Sequence, residues 1–429
     1  MELFDINIVQ IIICLSVTSL LNYMIFKNVL FSFFDPYVFI PIHQSFVLGY
    51  ILYAFVNDKI MAEHFYYVSI SYIAFVLGLY SCKIFDKERI ITKSLRQIPN
   101  KQLIFNIVLI IGLQIIIDIF LIINRGVPAF TLGGDNITFY AGGLGIIHFL
   151  HIGISLLLPI LAFEALIVYK QKKLFFLFIA FMIYSVMIIG GSKSGFLNLF
   201  FLFYLTVNYF KRYGNIVFKT QKKYIITALV LLSLIVCYKF YSIVSTGYES
   251  STVLAIIKRL INTADAIYYY FERGAYAYFD QNLSILSYTF SQITPYVGFK
   301  DEYAINIGLL LTEYAMGFST PGYGPNPQMY GIGHIAWGNF GFIYCFFIGF
   351  VLSVIKFRPN RNFLVYAVLY TIAPTLIGDG TLFVLYLFYV ALLSPVLLLS
   401  FLMYHISRRD NGNRMINEYS LKSQFSRVE

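Results

Sequence analysis

Charged and imidazole side chains are scarce in this chain, so the few that occur carry its polar chemistry: 12% of its 429 residues are Asp, Glu, Lys or Arg, and 6 are His. Arg259 and Arg273 can grip phosphate oxygens through paired N–H donors, and Lys193, Lys258 and Arg125 offer further positive charge. His334 can accept a proton near neutral pH, and Asp265, Glu272 and Glu313 are carboxylates that can take the same role. Tyrosines cluster beside them, and the faces of Tyr269 and Tyr276 are suited to pack on sugar rings. Cations, a base and aromatic faces together suit a site for a phosphate-bearing glycolipid. Each residue also has a plainer reading. Lys258 with Asp265, and Glu272 with Arg273, can be solvated pairs, the tyrosines an interfacial belt, and His334 a structural hydrogen-bonder.

Residues 190–195, GGSKSG, invite comparison with a phosphate-binding loop. That motif needs G-x-x-x-x-G-K-[ST] between a strand and a helix. Here Ser192 separates Gly191 from Lys193 and both flanks are apolar runs, so the comparison fails.

The elements that position these residues follow from composition. With 59% hydrophobic residues and 12% charged, against roughly 25% charged in soluble domains, the chain reads as a membrane protein. Runs of about 20 apolar residues predict helical spans. We read an all-α polytopic architecture of about eleven, near 6–26, 37–56, 65–85, 102–123, 144–169, 174–190, 196–210, 224–245, 331–355, 362–378 and 381–405. The N-terminal MELFDINIVQ is acidic and lacks the basic region of a cleavable signal peptide. Cys14, Cys82, Cys237 and Cys345 fall within apolar runs without zinc or disulfide spacing and read as small core residues.

Lysine and arginine set the orientation, because they are retained on the cytoplasmic side. The loops 83–101, 170–173, 211–223 and 356–361, the tail 406–429 and Lys27 hold most of the 31 bases, and this span order puts all of them on one face. Lys59, Arg125, Lys193, Lys239, Lys258, Arg259, Arg273 and Lys300 fall at or beyond the opposite face. A base kept there binds an anion or pairs with a local acid. The surplus of base therefore reflects topology and gives no reason to expect nucleic acid as a partner.

The organisation is accordingly 1–245 with eight spans, a long outer segment 246–330, three spans in 331–405, and the basic tail. A connection of roughly 85 residues is far beyond ordinary loop length and is usually functional. Its first half predicts a helix capped by Ser251 or Thr252, with Lys258, Asp265 and Glu272 on one stripe and Arg259 and Arg273 on the next. On a straight helix Arg259 and Arg273 stand about 21 Å apart, more than one diphosphate spans, unless Gly274 and its neighbours bend the chain. Its second half, STPGYGPNPQMYGIGHIAWGNFGFIY, is dense in proline and glycine and demands irregular backbone leading into a span. Such backbone is tolerated at membrane depth only inside protein or beside a wet cavity.

Other embedded charges have structural readings at hand. Asp118 and Arg125 share a helix face and can neutralise each other. Lys239, Glu164 and His405 lie near span ends, His43, His148 and His151 read as packed hydrogen-bonders, and Asp379 as a turn residue.

The GGSKSG turn and the proline-glycine stretch before N-F-G resemble features of the bacterial O-antigen polymerase (Wzy) family of oligosaccharide repeat-unit polymerases. Lys193 stands where that family usually has arginine, and His334 where it often has an acid. The resemblance implies transfer of a growing glycan from undecaprenyl diphosphate to the terminal sugar of a new lipid-linked repeat, at the periplasmic face of the bacterial inner membrane. It implies donor and acceptor lipids as substrates, membrane lipids as surroundings, and a chain-length regulator and a flippase as partners. No Asp-x-Asp pair or metal-ligand cluster appears in the outer-face sequence, so we expect neither metal nor cofactor. In this reading Lys193, Arg259, Arg273, Arg125 and Lys258 hold the diphosphate, and His334, Asp265, Glu272 or Glu313 is the base. Rival readings are a lipid-linked oligosaccharide flippase or polysaccharide transporter, an O-antigen ligase, and a lipid-phosphate-dependent glycosyltransferase.

Overall fold

A computed structural model describes residues 7–32, 35–84, 98–125, 145–174, 193–213, 262–279, 284–291, 293, 307–317, 325–358, 362–399 and 401–402. Their regular structure is helical: α1 (Ile8–Phe26), α2 (Phe39–Val56), α3 (Ala62–Ile84), α4 (Asn100–Arg125), α5 (Gly145–Tyr169), α6 (Lys193–Tyr213), α7 (Ile285–Phe290), α8 (Ile307–Met316), α9 (Gln328–Trp337), α10 (Phe342–Phe357), α11 (Phe363–Ile372) and α12 (Gly380–Leu392). Among the described residues, 7 segments are long and apolar enough to cross a membrane: Ile8–Phe26, Pro36–Val56, Ala62–Lys83, Asn100–Asn124, Phe149–Tyr169, Gln328–Phe357 and Gly380–Leu399. Each meets one of the expected spans, and Phe363–Gly378 is a shorter apolar helix where the tenth was read. The expected spans 224–245 and, apart from its first residue, 174–190 lie outside the described residues, as does the tail 406–429.

The chain divides into two compact units, Met1–Arg96 with Ser192–Phe388, and Gln97–Gly191 with Tyr389–Glu429. In the first, α1 and α2 pair through polar groups that hydrocarbon could not satisfy. Thr18 Oγ1 donates to the Ser45 carbonyl (2.9 Å), Asn22 Nδ2 to Ser45 Oγ (3.1 Å), and Tyr72 from α3 closes the network on Asn22 Oδ1 (2.6 Å). Helices α3 and α10 meet at glycines. A Cβ on Gly78 would stand 2.1 Å from the Phe346 carbonyl oxygen, and one on Gly349 would stand 2.1 Å from that of Phe75. Backbone therefore touches backbone, the close approach that small residues allow in membrane helices.

Charged and polar contacts gather at both ends of this unit. At one end of this unit, Lys83 Nζ donates to the Asn28 carbonyl (2.5 Å), the Arg212 guanidinium lies 4.6 Å from the Phe31 ring centre, and Lys356 meets Asp35. At the other end, Lys59 meets Glu272 and Tyr288 meets Asp379.

Lys356 corrects one sequence expectation. It was grouped with loop bases, yet α10 continues to Phe357 and turns this side chain inward, where it is fully buried. It donates to Asp35 Oδ2 (2.5 Å) and to the Tyr370 hydroxyl, inside a cage of Phe31 (4.1 Å), Tyr37 (4.3 Å) and Tyr370 (4.9 Å) ring centres. Asp35 caps the turn Pro36–Val38 through the Tyr37 amide (3.0 Å) and also accepts from the Phe31 amide (2.9 Å) and Tyr370 (2.7 Å). A buried ion pair is tolerated only when its remaining valences are met in this way.

The second unit pairs α4 with α5. Gln114 Nε2 lies 2.6 Å from Asp118 Oδ1 and 2.6 Å from His151 Nδ1, a polar cluster within two apolar helices. Asp118 and Gln114 are buried there, and Gly153 permits the close passage of the Tyr389 backbone.

Candidate functional site

The described part of the outer segment does not continue as one straight helix. Residues Asn262–Ala264 form a 3-10 turn, Asp265–Ile267 one α turn, and Tyr268–Glu272 a π turn closed by the Arg273 amide on the Tyr268 carbonyl (3.0 Å). Gly274 then takes φ 78°, which a side chain would resist, and Ala275–Ala277 form another 3-10 turn. The expected helical stripe therefore breaks at Gly274, just after Arg273, while Arg259 lies outside the described residues. A π turn is wider than an α turn and recurs at functional sites. Here it buries Tyr268, Tyr269, Tyr270 and Phe271 while leaving Arg273 exposed.

The proline-glycine stretch delivers α9 against this turn. Gln328, which opens α9, has φ 63°, a strained conformation for a residue with a side chain, and its Nε2 donates to the Thr263 carbonyl (3.0 Å). Six residues on, in the last turn of α9, His334 is buried at 7% exposure. Gly338, at φ 54°, ends α9 and lets the Gly338–Gly341 turn lead into α10.

Around His334 an aromatic box forms. Its Nδ1 lies 2.8 Å from the Tyr270 hydroxyl, and the ring is edge-on to Tyr67 (4.8 Å) and Phe271 (5.7 Å). Burial holds the Tyr270 phenol well above its ordinary pKa, so it keeps its proton and can hydrogen-bond the imidazole as a neutral group. His64, from the first turn of α3, stands 6.2 Å from His334 between Phe271 (4.9 Å) and Tyr276 (4.7 Å). It is 5% exposed, and neither ring nitrogen has a hydrogen-bond partner in the structure. A buried imidazole in that state costs about 1–3 kcal/mol, the kind of deficit a bound polar ligand relieves.

Charges flank the box. Glu272 accepts from the Tyr50 hydroxyl and faces Lys59 Nζ at 3.8 Å. Arg273 donates from Nε to the Tyr268 hydroxyl (2.5 Å) and lies over the Tyr268 ring (5.2 Å), while its carbonyl accepts from Tyr314 (3.0 Å). Burial raises the Tyr269 phenol pKa, and the nearby Asp265 charge raises it further.

The structure thus brings His334, Glu272, Arg273, Tyr269 and Tyr276 into one neighbourhood of the first unit, with Asp265 at its edge. Glu313 is exposed on α8, one residue before the Tyr314 that binds Arg273. Lys193 begins α6 and Arg125 ends α4, but their side chains lie outside the described residues, as Lys258 and Arg259 do entirely. Sequence reasoning missed His64, Tyr50 and Gln328. His64 had a signal, since it opens a span on the same face as His334. Gln328 had none, because its strain is visible only in the backbone.

Among the described residues no group of 3 or more His, Cys, Asp or Glu is placed to hold a metal ion. Fold and site together define a polytopic helical membrane protein with a buried imidazole–tyrosine box at one end of its larger unit. No family model matches the chain, and neither a curated protein nor a solved structure matches it.

Proposed function

We propose that this chain is a glycosyltransferase of the bacterial inner membrane that polymerises lipid-linked oligosaccharide repeat units at the periplasmic face, releasing undecaprenyl diphosphate. The observation that carries this reading is the placement of buried His334, bonded to Tyr270 and facing His64, directly behind the turn that bears Glu272 and exposed Arg273. His334 takes the proton of the acceptor sugar hydroxyl as its oxygen bonds to the anomeric carbon of the donor glycan. The bond from that carbon to the diphosphate breaks, and the electron pair leaves with the phosphate oxygen. Arg273, with Lys193, Arg259 and Lys258 as further candidates, offsets the charge that grows there. Cations aimed at developing charge are usually the largest catalytic contribution. Tyr269 and Tyr276 are the proposed sugar contacts, and a chain-length regulator and a flippase the proposed partners.

Deleting the gene and examining surface glycan tests the reading. Lipid A cores capped with a single repeat are the expected outcome, since transfer of unpolymerised units would continue. Complete loss of the glycan would overturn it in favour of a flippase.

A further inference from the structure

Residues 377–381, IGDGT, join the one-turn helix Thr375–Gly378 to α12, and that short helix packs against α9, the helix that carries His334. Asp379, at the join, uses its two carboxylate oxygens unequally. Oδ1 accepts from the Tyr288 hydroxyl (2.9 Å), the Thr381 amide (2.9 Å) and the Thr381 hydroxyl (2.7 Å), which together fill it and fix the group. Oδ2 accepts from none of the described residues and is not closed off, since Asp379 is only half-buried.

Glycines on both sides of Asp379 leave room for polar neighbours. A Cβ on Gly378 would stand 3.7 Å from Asn326 Nδ2, and one on Gly380 would stand 3.1 Å from the Tyr344 hydroxyl oxygen. Neither of those side chains donates or accepts a hydrogen bond among the described residues, although Tyr344 is buried and only Asn326 is exposed. Trp337, the sole tryptophan of the chain, stands beside them. Its ring is edge-on to Tyr344, with 6.5 Å between centres, and 43% exposed.

A fixed carboxylate oxygen, a phenol and an amide, each with hydrogen-bonding capacity to spare, match a ligand dense in hydroxyls, which both donate and accept. An anion would be repelled by Asp379, and an apolar ligand would leave the polar groups unsatisfied. A partly exposed indole supplies a flat apolar body on which the C–H face of a sugar ring packs. We infer that Asp379, Asn326, Tyr344 and Trp337 form a sugar-binding subsite, with Asp379 Oδ2 accepting from a sugar hydroxyl and Trp337 lying against the ring. On the glycosyltransferase reading proposed above, on which this assignment rests, the sugar belongs to a lipid-linked repeat unit.

The test measures binding without turnover, which separates the subsite from the activity. Full-length protein in detergent is titrated with the repeat-unit oligosaccharide released from the surface glycan of the producing cells, free of lipid and diphosphate. Emission from Trp337 is the readout, and a saturable change is expected for the wild type. Asp379→Asn keeps an oxygen for Tyr288 and Thr381 but puts an amino group where Oδ2 stood. It should weaken binding roughly 10- to 100-fold, the range for a hydrogen bond to a charged group. Tyr344→Phe removes a hydroxyl that bonds to none of the described residues, so it should melt no lower than the wild type and yet bind roughly two- to tenfold more weakly. The inference is overturned if the oligosaccharide leaves wild-type emission unchanged, as it would were Trp337 only a lipid contact. It is equally overturned if either variant, melting no lower than the wild type, binds as the wild type does. A saturable response from protein that makes no longer glycan would keep the subsite and remove the polymerase. Longer glycan from protein with no response would do the reverse.

Discussion

The Tyr270 hydroxyl and Nδ1 of His334 lie 2.8 Å apart, joining a π turn of the outer segment to a helix that enters the membrane. Neither residue can be moved without the other, so the turn that bears Glu272 and Arg273 is indexed to the imidazole. Tyr270→Phe keeps the ring and removes the bond. A neutral hydrogen bond contributes about 0.5–1.5 kcal/mol, so turnover should fall roughly two- to tenfold with KM little changed. A shifted pH–rate profile for Tyr270→Phe would show that the bond acts through the imidazole and not through packing alone.

His64 separates ligand binding from packing. Both of its nitrogens are buried without partners, so His64→Phe removes an unsatisfied polar group while keeping an aromatic ring beside Phe271 and Tyr276. The variant should melt at a higher temperature, by the equivalent of about 1–3 kcal/mol, and yet turn over more slowly. Unchanged turnover with the raised melting temperature would reduce His64 to a structural residue.

Much of the fold was legible because hydrocarbon imposes one period and one length on every span, and the apolar runs therefore announced themselves. Lys356 was misplaced because a base at the end of an apolar run reads as loop when its partner, Asp35, lies 321 positions away in sequence. The candidate site was half legible. His334 and Arg273 stood out as rare polar residues in an apolar chain, whereas the π turn at Tyr268–Glu272 leaves no trace in the residue pattern. His64 was passed over because only folding brings α3 against α9 and sets it 6.2 Å from His334.

The Lys356–Asp35 pair predicts an asymmetric response. Lys356→Met strands a buried carboxylate, and removing one partner of such a pair costs about 3–5 kcal/mol. Adding Asp35→Asn removes the stranded charge and should recover most of that loss. Thermal unfolding of the two variants in one detergent measures the difference. Additive destabilisation would contradict the pairing.

Helices α3 and α10 should not tolerate bulk at their crossing. A Cβ on Gly349 would meet the Phe75 carbonyl at 2.1 Å, and rigid backbone must shift to make room. Gly349→Val should cost about 1–3 kcal/mol or more, measured as a lower melting temperature, while substitution at Gly112, with nothing within 4 Å of its Cβ position, should cost far less.

Asp379 gives a pH test. It accepts from Tyr288 (2.9 Å), the Thr381 amide (2.9 Å) and the Thr381 hydroxyl (2.7 Å), yet burial outweighs these bonds and raises its pKa. A raised folded-state pKa means that this group's contribution is present below the ordinary carboxylate range. The contribution is lost as pH rises through the folded value. Asp379→Asn keeps an oxygen acceptor and removes the titration. The melting temperature of the wild type relative to Asp379→Asn should therefore decline from pH 4 towards pH 8, and a rise over that interval would contradict the assignment.

The central claim is tested most directly by purified protein in liposomes, supplied with an undecaprenyl-diphosphate-linked repeat unit and assayed for a ladder of longer glycans. The account predicts a ladder from the wild type and a rate lower by about 10²–10⁴-fold from His334→Ala that folds and inserts normally. An undiminished ladder from His334→Ala would contradict the assigned base, and no ladder from active, inserted wild-type protein would contradict the function itself.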